Sequence, residues 1–438
     1  MRRSPIHRSL VPAVLLLSLL AVTGCDSRRA VPTAVSSLQA TGVPGSAFTQ
    51  GPDGPMVDGE AIVSLRPGVA REQFIDGNRL QLVDALTFGD DEWLLVRSLD
   101  QPSAVDLVQQ LRSDSGNVEW SEPNFYLESP EKPGEPMVDD DGDGIFLPAS
   151  DYLNQPAVGQ VELAASHQFA TGSGIKIALL DTGLNSEHPA FAGGNIVMGN
   201  GDVETRDGKD TDGDGRKDEA YGHGTHVAGI VRLAAPGATL IVIKVMDDDG
   251  WGGAWGVIKG IVDAVDRHGA NVINCGFGLS RDFRPLALAI RYASYHDVVV
   301  VAPAGNNGNN APRYPAAWTE VISVTSVDKH DKLADFSNWH PTVDLSAPGV
   351  SIVSAMPAPA GLGVYAMSSG GSMATAWVSA AAALVRQRFP GEPAEDVANR
   401  LRTGSVPIDD SHTPGQIGSG RLSMLGALTT SIGEPIFP

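Results

Sequence analysis

Five short and almost unbroken apolar runs constrain this chain more than any other feature. They are IKIALL at 175–180, TLIVIKV at 239–245, NVINCGF at 271–277, VVVVAPAGN at 298–306 and VISVTSV at 321–327. A strand with one wet face alternates apolar and polar side chains, whereas a strand covered on both faces is free to be apolar throughout. Helical patterns lie between the runs, among them HGTHVAGIVRLAA from His223 and the alanine-rich WVSAAAALVRQRF after GGSMATA. Regular alternation of this kind predicts an α/β domain, a parallel sheet with helices on both faces, over residues 151–430. In open parallel sheets, ligands bind beyond the carboxyl ends of the strands. Asp181 follows the first run, Asn306 ends the fourth and Ser372 opens the alanine-rich helix, so all three converge on one crevice. Taken alone, Ser372 reads as a helix-capping serine, since its hydroxyl satisfies free backbone N–H groups. The choice between cap and nucleophile falls to the remaining motifs.

At 438 residues the chain exceeds what one core holds, which predicts a second, smaller domain. The formal charge of -21 excludes a nucleic-acid binder, because phosphate recognition needs a basic surface. Its two cysteines, Cys25 and Cys275, build no disulfide framework. Cys275, inside an apolar run, reads as a small buried hydrophobe. Residues 1–24 carry Arg2, Arg3 and Arg8 ahead of an apolar stretch too short to span a bilayer comfortably, the pattern of a secretory signal. Val22-Thr23-Gly24-Cys25 resembles a bacterial lipobox. That resemblance implies lipidation of Cys25 and an exported, membrane-anchored protein, periplasmic or on the cell surface. Residues 25–58, rich in Ser, Thr, Gly, Pro and Ala, read as a flexible tether. From 59 to 128 a compact strand-helix-strand-strand-helix-strand pattern predicts a ferredoxin-like α+β module. The proline- and acid-rich stretch 129–150 reads as an exposed linker, and 431–438 as a tail.

Four motifs sharpen the functional reading. DTG at 181–183, HGTHVAG at 223–229, AGN at 304–306 and GGSMA at 370–374 resemble the signatures of the subtilisin-like serine proteases, peptidase family S8, in the family's order of Asp, His, Ser. The resemblance covers about 280 residues. It implies a serine endopeptidase made as a self-processing zymogen, with residues 59–128 as inhibitory prodomain and SEPNFY as its last strand. It casts Ser372 as nucleophile, His223 as general base and Asp181 as the carboxylate that orients it, with Asn306 and the Ser372 N–H as oxyanion donors. These types suit the chemistry: a neutral hydroxyl attacks a peptide carbonyl only if an imidazole takes its proton, and the imidazolium needs a fixed negative partner. No cofactor is needed for catalysis. His226, one helical turn from His223, leaves a zinc arrangement with Asp181 as an alternative.

By motif position, a substrate strand lies along Gly250-Trp251-Gly252 and Gly276-Phe277-Gly278, a form of β-augmentation. The pocket for the residue before the cut then falls between Gly276–Gly278 and Ala302-Pro303-Ala304. No fixed charge lines it in this reading, which implies an apolar or aromatic preference. Gly371 departs from the family's usual threonine and implies looser geometry beside the nucleophile. Asp210, Asp212, Asp214 and Asp218, around Gly215, place oxygens as calcium loops do, with calcium as a structural ion; the alternative is a solvated acidic loop. Asp139, Asp141 and Asp143 repeat the start of that pattern. Implied partners are protein or peptide substrates, the prodomain and a membrane. The rival from another class is a noncatalytic surface lipoprotein that keeps the fold as a binding module.

Overall fold

The structure, a computed structural model, describes residues 49–51, 54–88, 91–100, 103–129, 147–199, 208–213, 215–357, 364–408 and 415–431. The signal, Cys25, most of the tether, the linker from 130 to 146 with Asp139, Asp141 and Asp143, Asp214 and the tail from 432 lie outside them.

The N-terminal module contains β1 (Thr49–Gly51), β2 (Gly54–Leu65), α1 (Arg71–Gly77), β3 (Leu80–Phe88), β4 (Asp91–Ser98), α2 (Ala104–Ser113) and β5 (Val118–Glu128). Its strands run antiparallel in the order β3-β4-β2-β5. β2 begins at Gly54, five residues before 59 and inside the Gly-Pro stretch that reads as tether. Leu107, Val108 and Leu111 of α2 pack on Ala61, Val63, Leu94 and Val96, closing one face of this sheet.

Three short helices follow: α3 (Ala149–Asn154), α4 (Pro156–Gln160) and α5 (Leu163–Ser166). The large sheet is then built from β6 (Lys176–Asp181), β7 (Asn195–Met198), β8 (Thr239–Lys244), β10 (Val272–Cys275), β11 (Val299–Pro303), β12 (Val321–Val327) and β13 (Leu345–Pro348). The seven strands are all parallel, in the order β13-β12-β11-β10-β6-β8-β7. The connecting helices are α6 (His223–Ala234), α7 (Ala254–Asp266, after the three-residue β9, Trp251–Gly253) and α8 (Arg284–Tyr295). A hairpin of β14 (Ile352–Met356) and β15 (Val364–Ser368) leads into α9 (Gly371–Arg388), followed by α10 (Ala394–Thr403) and α11 (Met424–Thr429).

Burial on both faces explains the unbroken apolar runs. Ile177, Leu179, Leu240 and Val242 enter one core with α6, α9, α10 and α11, while their neighbours Ala178, Leu180, Ile241 and Ile243 enter another with α7 and α8. The second core also takes in Met56, Trp93, Trp120, Phe125 and Leu127, so the free face of the module's sheet is buried against α7 and α8. Asp84 accepts hydrogen bonds from Trp255 Nε1 (3.0 Å) and Lys259 Nζ (2.7 Å), and Asn124 Oδ1 accepts the N–H of Trp255 (3.0 Å) at the start of α7. The chain order places β10 on the opposite side of β6 from β8, which makes the carboxyl ends of β6 and β10 the topological switch point of the sheet.

Candidate active site

Asp181 is the last residue of β6, at that switch point, and is 1% exposed. The Thr182 N–H donates to its Oδ1 (2.7 Å), and His223, the first residue of α6, hydrogen-bonds the same oxygen through Nδ1 (2.6 Å). The Gly224 N–H donates to Thr182 Oγ1 (2.9 Å), which pins the first turn of α6 to the end of β6. With Nδ1 engaged in this way, Nε2 is the ring nitrogen left to handle a proton.

Ser372 lies in the first turn of α9, and Gly370 holds the cap position with no side-chain cap bond. The capping reading of Ser372 therefore fails. The Gly371 N–H donates to Asn306 Oδ1 (3.0 Å), so the turn of α9 is tied to the loop after β11 and the Asn306 amide keeps Nδ2 as its donor end. Helices α6 and α9 pack on each other. His223, Ser372 and Asn306 are each buried, at 1%, 1% and 3% exposure.

Gly371 is not a loose point. A Cβ there would lie 2.8 Å from Pro303 Cβ and 3.1 Å from Asn306 Oδ1. Pro303 and Gly371 are thus matched: the proline occupies the space a side chain at 371 needs, and the expected looseness is not what the geometry gives. His226 directs Nε2 at the carbonyls of Ile352 and Ala366 (3.2 Å each), away from Asp181. Cys275 is fully buried, and that burial pushes its thiol well above the ordinary range, as a structural cysteine requires.

The proposed substrate segments are occupied. β5 pairs antiparallel with β9, Leu127 opposite Gly252 and Glu128 opposite Trp251, and the Ser129 N–H donates to Gly250 O (2.8 Å). On its other side the Gly278 N–H donates to Glu128 O (2.9 Å) and the Glu128 N–H to Gly278 O (3.4 Å). Phe277 and Ala302 are wholly buried in the core beneath, so they support the walls and do not line them. Ala304 is 5% exposed. A charged group lies close to these segments: Arg313, buried to 9% exposure, lies against Gly278 and Gly305 and pairs with the Glu128 carboxylate. Sequence reading missed it because it sits seven residues beyond Asn306, in a polar loop with no motif.

The acidic loop differs in membership. Asp210 and Asp212 come together with Asp249, ligand oxygens all within 4.8 Å, whereas the Asp218 carboxylate accepts the Gly208 N–H (3.0 and 3.2 Å). Asp249 Oδ2 takes the Thr211 N–H (2.7 Å), while its buried Oδ1 meets no hydrogen-bond criteria with any of the described residues. Burial, reinforced by Asp247 and Asp212, pushes the Asp249 carboxyl up to about 6. An orphaned oxygen among like charges suits a hard cation, which prefers oxygen ligands.

The family model described as the subtilase family, Peptidase S8, matches residues 172–420. The chain belongs to the subtilase family. It is a serine endopeptidase, with the family's α/β fold. Thermitase from Thermoactinomyces vulgaris is 37% identical over 280 residues, 61% of this chain and 95% of the relative. A thermophilic serine proteinase from a Bacillus species, strain AK1, is 31% identical over 343 residues, 76% of this chain and 79% of the relative. Among solved structures, fervidolysin from Fervidobacterium pennivorans, a keratinolytic enzyme related to subtilisin, matches with a TM-score of 0.69 at 23% identity, covering 86% of this chain. The chain spans 62% of that longer neighbour.

Gly276 tests the geometry around Asp181. A Cβ at 276 would lie 2.2 Å from Asp181 Oδ2 and 3.3 Å from Leu180 O. Gly276→Ala is expected to push the carboxylate off His223 and lower kcat about 10²-fold, the cost of misplacing a reacting group by roughly 1 Å. Far-UV circular dichroism should be unchanged; wild-type kcat would mean that the carboxylate has room to spare.

Proposed function

We propose that this subtilase is exported as a lipid-anchored zymogen and hydrolyses peptide bonds through Asp181, His223 and Ser372. The observation that carries the reading is the 2.6 Å bond from His223 Nδ1 to a carboxylate fixed at the end of β6. In the proposed step Ser372 Oγ attacks the peptide carbonyl, His223 Nε2 accepts its proton and later returns it to the leaving amine, and Asp181 stabilises the imidazolium without taking the proton. Asn306 Nδ2 and the Ser372 N–H receive the oxyanion. Loss of one such donor in subtilisin lowers kcat about 10²–10³-fold. The rival reading of a noncatalytic binding module has no observation in its favour.

The zymogen part rests on β5. It fills the strand position between Trp251–Gly253 and Gly278, where a substrate would pair, so the module acts as an inhibitor held in the manner of a product. The likeness to the Bacillus proteinase, longer than the 280 residues of the C-terminal region, supports a shared precursor organisation. The lipid on Cys25 would be attached to the module's side of the linker, so a cut there leaves the anchor on the inhibitor and releases the enzyme. Among the described residues no helix is long and apolar enough to cross a membrane. Calcium held by Asp210, Asp212 and Asp249, with Asp214 and Asp218 as further candidates from the sequence, would act as a structural ion.

A fluorophosphonate should label wild type at Ser372, and Ser372→Ala, His223→Ala and Asp181→Asn should each lose most casein hydrolysis. Ser372→Ala should stay full length in the membrane fraction while wild type yields a soluble fragment, read by intact mass and N-terminal sequencing. Retained turnover in Ser372→Ala rejects the assignment. Separately, EDTA should lower Tm. At calcium of about 100 times Kd an ion bound only by the native state contributes about 2.7 kcal/mol, or roughly 5–10 °C. Asp249→Asn should remove the calcium dependence; an identical melt with and without calcium counts against the site.

A further inference from the structure

Arg313 is a buried cation that the mechanism does not use. It lies behind two glycines that form opposite sides of the substrate cleft: a Cβ on Gly305 would come within 2.7 Å of Arg313 Cγ, and one on Gly278 within 3.5 Å of its Nε. Both positions lack the side chain that would fill this space, and Arg313 occupies it, its Cγ beside Gly305 and its guanidinium beside Gly278. Its side chain is 9% exposed, its Nε has no hydrogen-bond partner among the described residues, and its Nη2 donates to the carboxylate of Glu128, which is 40% exposed. Glu128 belongs to β5, the strand seated in the cleft, and its backbone pairs on both sides, with Trp251 and with Gly278.

We propose that Arg313 makes this protease select substrates with an acidic side chain, glutamate or aspartate, at the residue before the cut. A guanidinium never sheds its proton at working pH, so once β5 departs the cleft keeps a fixed positive charge beside Gly278 and Gly305. An apolar side chain entering the pocket would bury that charge unpaired, whereas a carboxylate restores the bond that Glu128 made. The planar fork of donors also suits a carboxylate in two-point contact, with Nε and Nη2 side by side. Glu128 thus shows which chemistry the arginine accepts. The inference rests on the reading of Gly276–Gly278 and Ala302–Ala304 as the pocket walls, and it replaces the apolar preference expected when no charge was placed there.

The test compares blocked Ala-Ala-Pro-Glu and Ala-Ala-Pro-Phe p-nitroanilides on the processed enzyme, with fluorophosphonate titration counting active sites independently. Wild type should favour the glutamyl substrate, and Arg313→Leu should lower its kcat/KM about 100-fold while raising that for the phenylalanyl one, the size expected for leaving one member of a desolvated pair alone. Arg313→Lys should retain part of the glutamyl preference. Full labelling with a phenylalanyl preference, a glutamyl preference that survives Arg313→Leu, or an acid requirement that a positional library puts at another residue overturns the inference and leaves the nucleophile assignment standing. If Ser372 is not labelled, anisotropy of the same peptides carrying a fluorophore, bound to Ser372→Ala after an added protease has cut the linker and digested the module, decides: tighter binding of the glutamyl peptide, abolished by Arg313→Leu, upholds the inference, and equal binding overturns it.

Discussion

The burial of α9 is the constraint on which the rest of the structure depends. Every residue from Gly371 to Arg386 is buried, and the helix packs against β6, β10, β11, β12 and β13 on one side and α6, α10 and α11 on the other. The run Ala380–Ala383 lets the helix lie close to its neighbours, while Met373 and Trp377 fill the core elsewhere along it; larger residues at the alanines would force apart a core already packed at crystal-like density. Polar ties fix its axial position. Ser379 Oγ accepts from Asn274 of β10 (2.9 Å), and Gln387 Oε1 gathers the N–H groups of Thr171, Gly172 and Ser173 (2.8, 2.7 and 3.0 Å). With its body and far end held in this way, the first turn has little freedom, and Ser372 is presented at a point set by the whole sheet. A site whose atoms must sit within about half an ångström is better carried on such a helix than on a loop.

The same logic explains what was legible in the sequence. Strands covered on both faces leave unbroken apolar runs, so β6, β8, β10, β11 and β12 could be read directly, and the four motifs lie at their carboxyl ends or at the helix starts that face them. The edge strand β7 has only four residues with partial exposure, and β13 is Leu-Ser-Ala-Pro, too short and too polar to stand out. Asp249 and Arg313 were missed for a different reason. Each acts through a tertiary contact: Asp249 approaches Asp210 across the chain from the next βα loop, and Arg313 reaches Gly278 and Glu128 from a loop without pattern. Local spacing carries no trace of either. Gly371 was visible as a departure, yet its meaning lay in Pro303, 68 positions earlier in the chain (371 minus 303) and in contact only once folded.

Two kinds of interaction hold the module. Met56, Trp93, Trp120, Phe125 and Leu127 share the core on the α7 and α8 side, and at about 25 cal/mol per Å2 of apolar surface removed from water such a cluster dominates the free energy of docking. The strand pairing of β5 contributes register more than strength, since each backbone hydrogen bond nets about 1 kcal/mol after exchange with water. Burial therefore holds the module and the strand aims it. A change in the cleft alone should leave the module docked, whereas loss of the shared core should free β5 altogether.

The Glu128–Arg313 pair joins these two roles. With Glu128 40% exposed the pair is half in water and a weak source of stability, but covering Arg313 with a group that cannot pair with it is costly for the charge left behind. Arg313 is thus a poor choice for strengthening the docked module and an effective one for discriminating what replaces it. As β5 withdraws, the penalty for an unpaired guanidinium passes to the enzyme, and a strand that brings a carboxylate removes it. On this reading, the residue that the module satisfies at rest is the residue that sorts substrates after release, and Glu128 stands in for the side chain that the enzyme accepts. The charge that an apolar pocket would exclude becomes the reason for its selectivity.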